Sequence, residues 1–276
     1  MTITDDPRTE TPDAPDPRAR PRRRGPWLAL AALTALSVAV PTVLEVAGVQ
    51  LQRASETSET LVSHRLRAVE VDATSAAVTV RAGASGPARL DKDLHWITSK
   101  PRIRTTWDGD TLMLKVICGD GGLTMLDLCD ANVTLSVPSG VDVRGRMTSG
   151  TLAVRGMTGS VDVKNNSGTL DFADLSGPLH AVVSSGSVIG DRLTAGTVDV
   201  ASGSGSIDLT FTKAPTRVVA RTGSGTVLVG VPAGSQYRIA GASGSGSRQF
   251  ADGIRNESAP NLLDVSAGSG SVSVHY

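Results

Sequence analysis

Between residue 67 and the C-terminus, apolar and polar side chains alternate with period two in short runs. Val69, Val71, Val78 and Val80 alternate with polar neighbours, the pattern of strands with one buried face. Asp108-Gly109-Asp110 is a hairpin turn signal between 103–107 and 111–116, and 133–137 reads as a further strand closed by Pro138-Ser139-Gly140. From residue 149 the pattern becomes periodic. Small-Gly-small units fall at Gly150, Gly159, Gly168, Gly177, Gly186, Gly196 and Gly205, nine or ten positions apart, and recur at wider spacing at Gly225, Gly246 and Gly270. Each is followed by a short alternating run such as Ser160-Val161-Asp162-Val163 or Thr197-Val198-Asp199-Val200. Taking every second unit gives coils of about 18–20 residues, which predicts an all-β chain built as a β-solenoid.

Physically, each glycine supplies a corner that needs positive φ or close backbone approach. Strands of successive coils stack at about 4.8 Å, and Val, Leu and Ile fill a narrow interior. Stability is then nearly a sum over neighbouring coils, so no coil stands alone. A Gly-Ser-rich linker would not place an apolar residue at the second and fourth positions after each corner.

The N-terminal third reads as topology. Residues 1–26 are proline-rich and charged, with almost nothing to bury, and predict a disordered cytoplasmic tail. Residues 27–44, WLALAALTALSVAVPTVL, are apolar or small throughout. Eighteen helical residues rise about 27 Å, close to a hydrocarbon core of roughly 30 Å. The five arginines between Arg18 and Arg24 would stay cytoplasmic and leave the rest of the chain outside. A cleaved signal peptide has the same order of basic, apolar and small residues. The absence of a convincing small-x-small site and the length of the run favour one transmembrane helix. The expected organisation is thus a tail at 1–26, a helix at 27–49, a polar juxtamembrane spacer at 50–66, a strand-rich cap at 67–146 and solenoid repeats at 147–276.

Composition sharpens this picture. The 27 basic and 27 acidic side chains balance, which gives no global pull toward nucleic acid. Aromatics make up only 3% of the chain against 30 glycines, as suits thin repeated layers rather than one thick core.

Candidate chemistry is sparse. Cys118 and Cys129 flank a Gly-rich segment, and on the exported side a structural disulfide is expected. No histidine lies within that segment, so it carries no metal expectation. Asp162, His180 and Asp199 each lie three positions after a corner glycine, one coil apart. With Val161, Val163, Leu179, Ala181, Val198 and Val200 inward, these three point outward and stack. A histidine between two carboxylates could engage a metal or a sugar hydroxyl; equally, polar residues must occupy the outer face of any strand, and His180 separates two like charges. The parallel column Asp171, Ile189, Asp208 and Leu228 is broken by apolar residues. No catalytic motif, phosphate loop or dinucleotide fingerprint is present. The repeat region has no Trp and a single Glu, Glu257, a poor basis for a sugar-cleaving cleft. No enzyme activity and no cofactor are expected.

The Ser-Gly-Ser/Thr-Val-Asp-Val units, with Val137-Pro138-Ser139-Gly140 and Val231-Pro232-Ala233-Gly234, resemble the DUF4097 family of adhesin-like, β-strand-repeat envelope proteins. The resemblance covers about 67–276. It implies a β-solenoid in the bacterial cell envelope, often behind an N-terminal anchor, with no catalytic residues to carry over. The function expected is a non-catalytic interaction or adhesion-type module on the outer side of the cell membrane, binding an envelope protein or glycan. The alternatives are an envelope-stress sensor or accessory subunit of a membrane signalling complex, and a structural stalk without a ligand. If the strand around Val272 is an open edge, self-association is the default.

Overall fold

The computed structural model describes residues 33–35, 53–61, 65–83, 86–97, 99–118 and 129–276. The chain divides into two units, Met1–Leu51 and Gln52–Tyr276. In the first, residues 33–35 are helical. The expected tail at 1–26 and most of the expected membrane helix at 27–49 lie outside the described residues. Among the described residues no helix is long and apolar enough to cross a membrane.

The second unit is all-β. Its strands are β1 (Arg53–Thr60), β2 (Ala68–Ala82), β3 (Arg89–Trp96), β4 (Arg102–Asp108), β5 (Thr111–Ile117) and β6 (Cys129–Val137). Three long strands follow: β7 (Asp142–Arg155), β8 (Val161–Ala173) and β9 (Leu179–Leu193). The remainder are β10 (Thr197–Ser204), β11 (Ile207–Phe211), β12 (Arg217–Ser224), β13 (Val227–Gly230), β14 (Arg238–Ala240), β15 (Ser243–Ser245), β16 (Arg248–Phe250), β17 (Leu262–Ser269) and β18 (Val272–His275). The expected hairpin forms, with Asp108 opposite Thr111 across an antiparallel β4–β5 pair. Strand β1 falls inside the segment read as a polar spacer and pairs antiparallel with β3 along its full length. Its polar composition hid it, because β1 is an exposed strand with no apolar face to alternate.

The centre of the unit is a stack of parallel rungs in register. Val161 lies opposite Leu179, Leu179 opposite Val198, and Val198 opposite Val218, so successive rungs are 18, 19 and 20 residues apart in the chain. From β7 onward each rung turns a corner at a glycine, whereas β2 has Ala76 at the register position of Gly150. Gly150, Gly168, Gly186, Gly205, Gly225, Gly270 and Gly246 all hold φ between 104° and 142°. A side chain there has no room: a Cβ on Gly168 would sit 2.0 Å from the Gly150 carbonyl oxygen, and one on Gly186 would sit 1.9 Å from that of Gly168. The two corner series are not equivalent. Gly177 needs close approach without positive φ, with a Cβ 2.0 Å from the Gly159 oxygen, whereas a Cβ on Gly196 meets only Thr216 Oγ1, at 3.6 Å.

Inside the stack, Val161, Val163, Leu179, Ala181, Val198 and Val200 are all buried, as the alternation predicts. Three polar residues are buried near the glycine corner: Asn165, Ser202 and Thr222. Ser202 Oγ donates to the Gly186 carbonyl at 3.3 Å and Thr222 Oγ1 to that of Gly205 at 3.1 Å. Each hydroxyl is thereby satisfied by the carbonyl oxygen of a corner glycine.

Both ends of the stack depart from sequence order. Strand β2 pairs with β7 from Ala68–Asp142 to Arg81–Arg155, although β3, β4, β5 and β6 all intervene in the chain. Its other edge is covered by β5 over the first half and β6 over the second. At the opposite end, β17 and β18 stack directly on β12 and β13, and β14, β15 and β16 then pair with β17 and β18 from outside. The strand at Val272 is therefore not an open edge. It is an inner rung, and the outermost strands are β14–β16.

Candidate functional site

Parallel pairing without a register shift converts spacing along the chain into a straight row of side chains. Asp162 lies opposite His180 and His180 opposite Asp199, so the three residues singled out in the sequence do form one outward column. His180 Nδ1 stands 4.0 Å from Asp199 Oδ2, with both side chains about half exposed. The column extends beyond what the repeat pattern showed. Arg144 lies opposite Asp162, and Glu70 opposite Arg144. Arg144 could have been found from its spacing, one coil before Asp162. Glu70 could not, because its rung joins the stack only through the long return over β3–β6.

The row thus reads Glu70, Arg144, Asp162, His180, Asp199, with carboxylates and nitrogen bases alternating. Opposite charges on adjacent strands attract, and like charges would repel. Beside it, Arg146 and Lys164 occupy the next outward column, at successive register positions. Glu70, Arg144, Gly145, Arg146, Asp162 and Lys164 line a small surface cavity of about 90 Å³. Parallel stacking holds these groups side by side rather than aimed at a common point. Among the described residues, no three His, Cys, Asp or Glu side chains gather as a metal ion would need.

The face beyond the glycine corner is laced differently. Arg155 pairs with Asp171 across β7 and β8. Asp174 and Arg192 both hold positive φ, 56° and 49°, at the end of successive rungs. They meet in a two-pronged pair of 2.7 and 2.8 Å. The hydrogen bonds from Arg192 hold the Asp174 carboxyl below its usual range. Both side chains are exposed, so the pair contributes little to stability. It fixes a corner rather than forming a site.

At the outer C-terminal rung, Phe250 lies near two guanidinium groups, Arg248 at 4.9 Å and Arg255 at 5.5 Å from the ring centre. Arg248 occupies the register position above buried Val272. The residue is half-buried, and its Nε is shielded from solvent without a hydrogen-bond partner at this end of the stack.

The expected disulfide is present: Cys118 and Cys129 are bonded, with Cα atoms 5.7 Å apart. It bridges the point where the chain leaves β5 and re-enters as β6, beside the corner of β2. Cys118 N–H also donates to Thr74 Oγ1 at 3.3 Å.

Neither a scan of protein-family models nor a search of curated proteins finds a match. Solved structures do show a likeness. A candidate cell adhesion protein from Clostridium sporogenes is 12% identical, with a TM-score of 0.36 over 81% of this chain and 99% of its own. A candidate adhesin from Parabacteroides merdae is 12% identical, with a TM-score of 0.32 over 80% and 96%. A candidate lipid-binding protein from Parabacteroides distasonis is 12% identical, with a TM-score of 0.29 over 81% and 96%. At these values the likeness carries no functional argument.

Proposed function

We propose that this chain is a β-solenoid of the cell envelope, held at the outer face of the membrane by residues 27–49, that works as a non-catalytic interaction module of adhesion type. Rungs that repeat once per coil, in register, support the solenoid reading, and the motif resemblance to the DUF4097 family agrees with it. The observation that carries the function is the outward row Glu70, Arg144, Asp162, His180, Asp199. Five polar side chains sit at one register position on five successive rungs. Spaced at about 4.8 Å per rung, they span roughly 19 Å of surface. A row that long, on strands that cannot move independently, suits an extended partner such as a glycan chain or a protein strand. It does not suit a single small substrate enclosed for reaction.

The test is photo-crosslinking of the full-length protein in the cells that produce it, with the photoreactive residue placed at His180. The expected result is capture of one discrete envelope component, wall glycan or surface protein, identified by mass spectrometry. Self-crosslinks alone, or capture of a membrane signalling protein alone, would contradict the reading.

A further inference from the structure

We infer that the rung at the N-terminal end of the stack carries an oxyanion subsite, built from Arg81 and Arg89 on either side of Ser136, that takes the carboxylate or phosphate of an acidic glycan. This inference rests on the interaction-module reading and names a ligand chemistry for it.

The subsite follows from register. Arg81 of β2 lies opposite Ser136 of β6, Ser136 opposite Arg89 of β3, and Arg89 opposite Thr60 of β1. Four neighbouring strands therefore present guanidinium, hydroxyl, guanidinium and hydroxyl in one row. With each strand about 4.8 Å from the next, the two arginines start roughly 10 Å apart, close enough for both guanidinium groups to reach one small anion between them. Arg81 Nε already donates to Ser136 Oγ at 3.0 Å, which orients its remaining donors beside that hydroxyl.

The row borders a concavity of about 390 Å³, lined by Thr60, Arg81, Ala82, Gly83, Pro87, Arg89 and Ser136. That volume falls in the range of small-ligand sites. Ala82 and Pro87 add apolar surface of the kind a sugar ring covers. Gly83 keeps the floor open, since a Cβ there would come within 3.3 Å of Ser136 Cβ.

Charge accounting separates this row from the others on the surface. Arg155, the next residue across from Arg81, is paired with Asp171. Asp91, the next residue on the same face as Arg89, accepts from Ser58 Oγ at 2.6 Å. Among the described residues no carboxylate pairs with Arg81 or Arg89. Two such guanidinium groups flanking a hydroxyl in a concavity offer the planar, forked donors that carboxylates and phosphates accept.

The test is calorimetric titration of the full-length protein in a non-ionic detergent with inorganic phosphate, D-galacturonate and neutral D-galactose. The expected result is millimolar binding of one or both anions and none of galactose. Galacturonate binding identifies an acidic sugar as the source, and phosphate binding alone identifies a sugar phosphate. Arg89→Gln should weaken the anion about tenfold or more, since a charge-assisted hydrogen bond is lost. Its melting temperature should stay unchanged, and Lys213→Gln should leave binding intact. Absence of anion binding, or binding that persists unchanged in the Arg81→Gln/Arg89→Gln double variant, would overturn the subsite. Capture through His180 is a separate readout. Lost anion binding with capture retained overturns the subsite alone, and anion binding without capture supports the subsite while overturning the module.

Discussion

Gly186→Ala is expected to destabilise the stack by about 4 kcal/mol or more. Two costs combine at this position. The backbone sits at φ 142°, a conformation that an L side chain rarely adopts. The new Cβ would also lie 1.9 Å from the carbonyl oxygen of Gly168, so the two rungs must separate to admit it. Separation breaks the parallel hydrogen bonds between β8 and β9 and disturbs the 3.3 Å bond from Ser202 to the Gly186 oxygen. Two controls isolate the second cost. Gly234 holds φ 79° with nothing within 4 Å of a Cβ, and Gly234→Ala should cost only about 1 kcal/mol of backbone strain. Gly196→Ala, at the other corner series, should be milder still. Urea unfolding of the three variants gives the comparison, and a Gly186→Ala loss no greater than that of Gly234→Ala would mean that the rungs can spread.

The second large effect is expected from the disulfide. Reduction, or the Cys118→Ala/Cys129→Ala variant, should lower stability by about 3 kcal/mol on the loop-closure estimate. The bond joins positions 11 residues apart, at the end of β5 and the start of β6. Strand β5 covers Ala68–Ala73 and β6 covers Ala77–Ala82, so the bridge keeps both halves aligned on the single strand β2. The measurement is denaturant unfolding of the parent protein with and without reductant, beside the double variant. Equal midpoints in all three would show that the bridge adds nothing to the fold.

Much of the stack is legible in the sequence because its physics is local. A corner glycine and its inward neighbours recur with each of these parallel strands, so the inward set from Val161 to Val200 and the outward column Asp162, His180, Asp199 follow from spacing alone. What fails to show is any contact made over a long return. Gly246 follows Gly225 in the sequence and invites the reading that it forms the next rung. In the fold Gly270 takes that place, and Gly246 stacks beyond it. A physical trace of this order does exist. The 262–275 segment supplies a full set of buried apolar residues, Leu263, Val265, Ala267, Val272 and Val274, as a rung covered on both sides requires. The 238–250 segment offers buried Ile239 and half-buried Phe250, with Arg248 between hydrophobic layer and solvent, which suits an end rung. No such trace marks Glu70, Arg81 or Arg89. Their row partners are set by pairing of β2, β3 and β6 across intervening hairpins, and period-two alternation shows which face a residue takes but not which strand lies beside it.

The stacking itself is tested most directly with paired cysteines and a short bifunctional thiol reagent that spans about one strand spacing. His180→Cys with Asp199→Cys, adjacent in register, should cross-link within the chain, while Asp162→Cys with Asp199→Cys, two rungs apart, should not. Equal linking of both pairs, or linking of the second alone, would contradict the in-register stack and with it the row of side chains on which the proposed function stands.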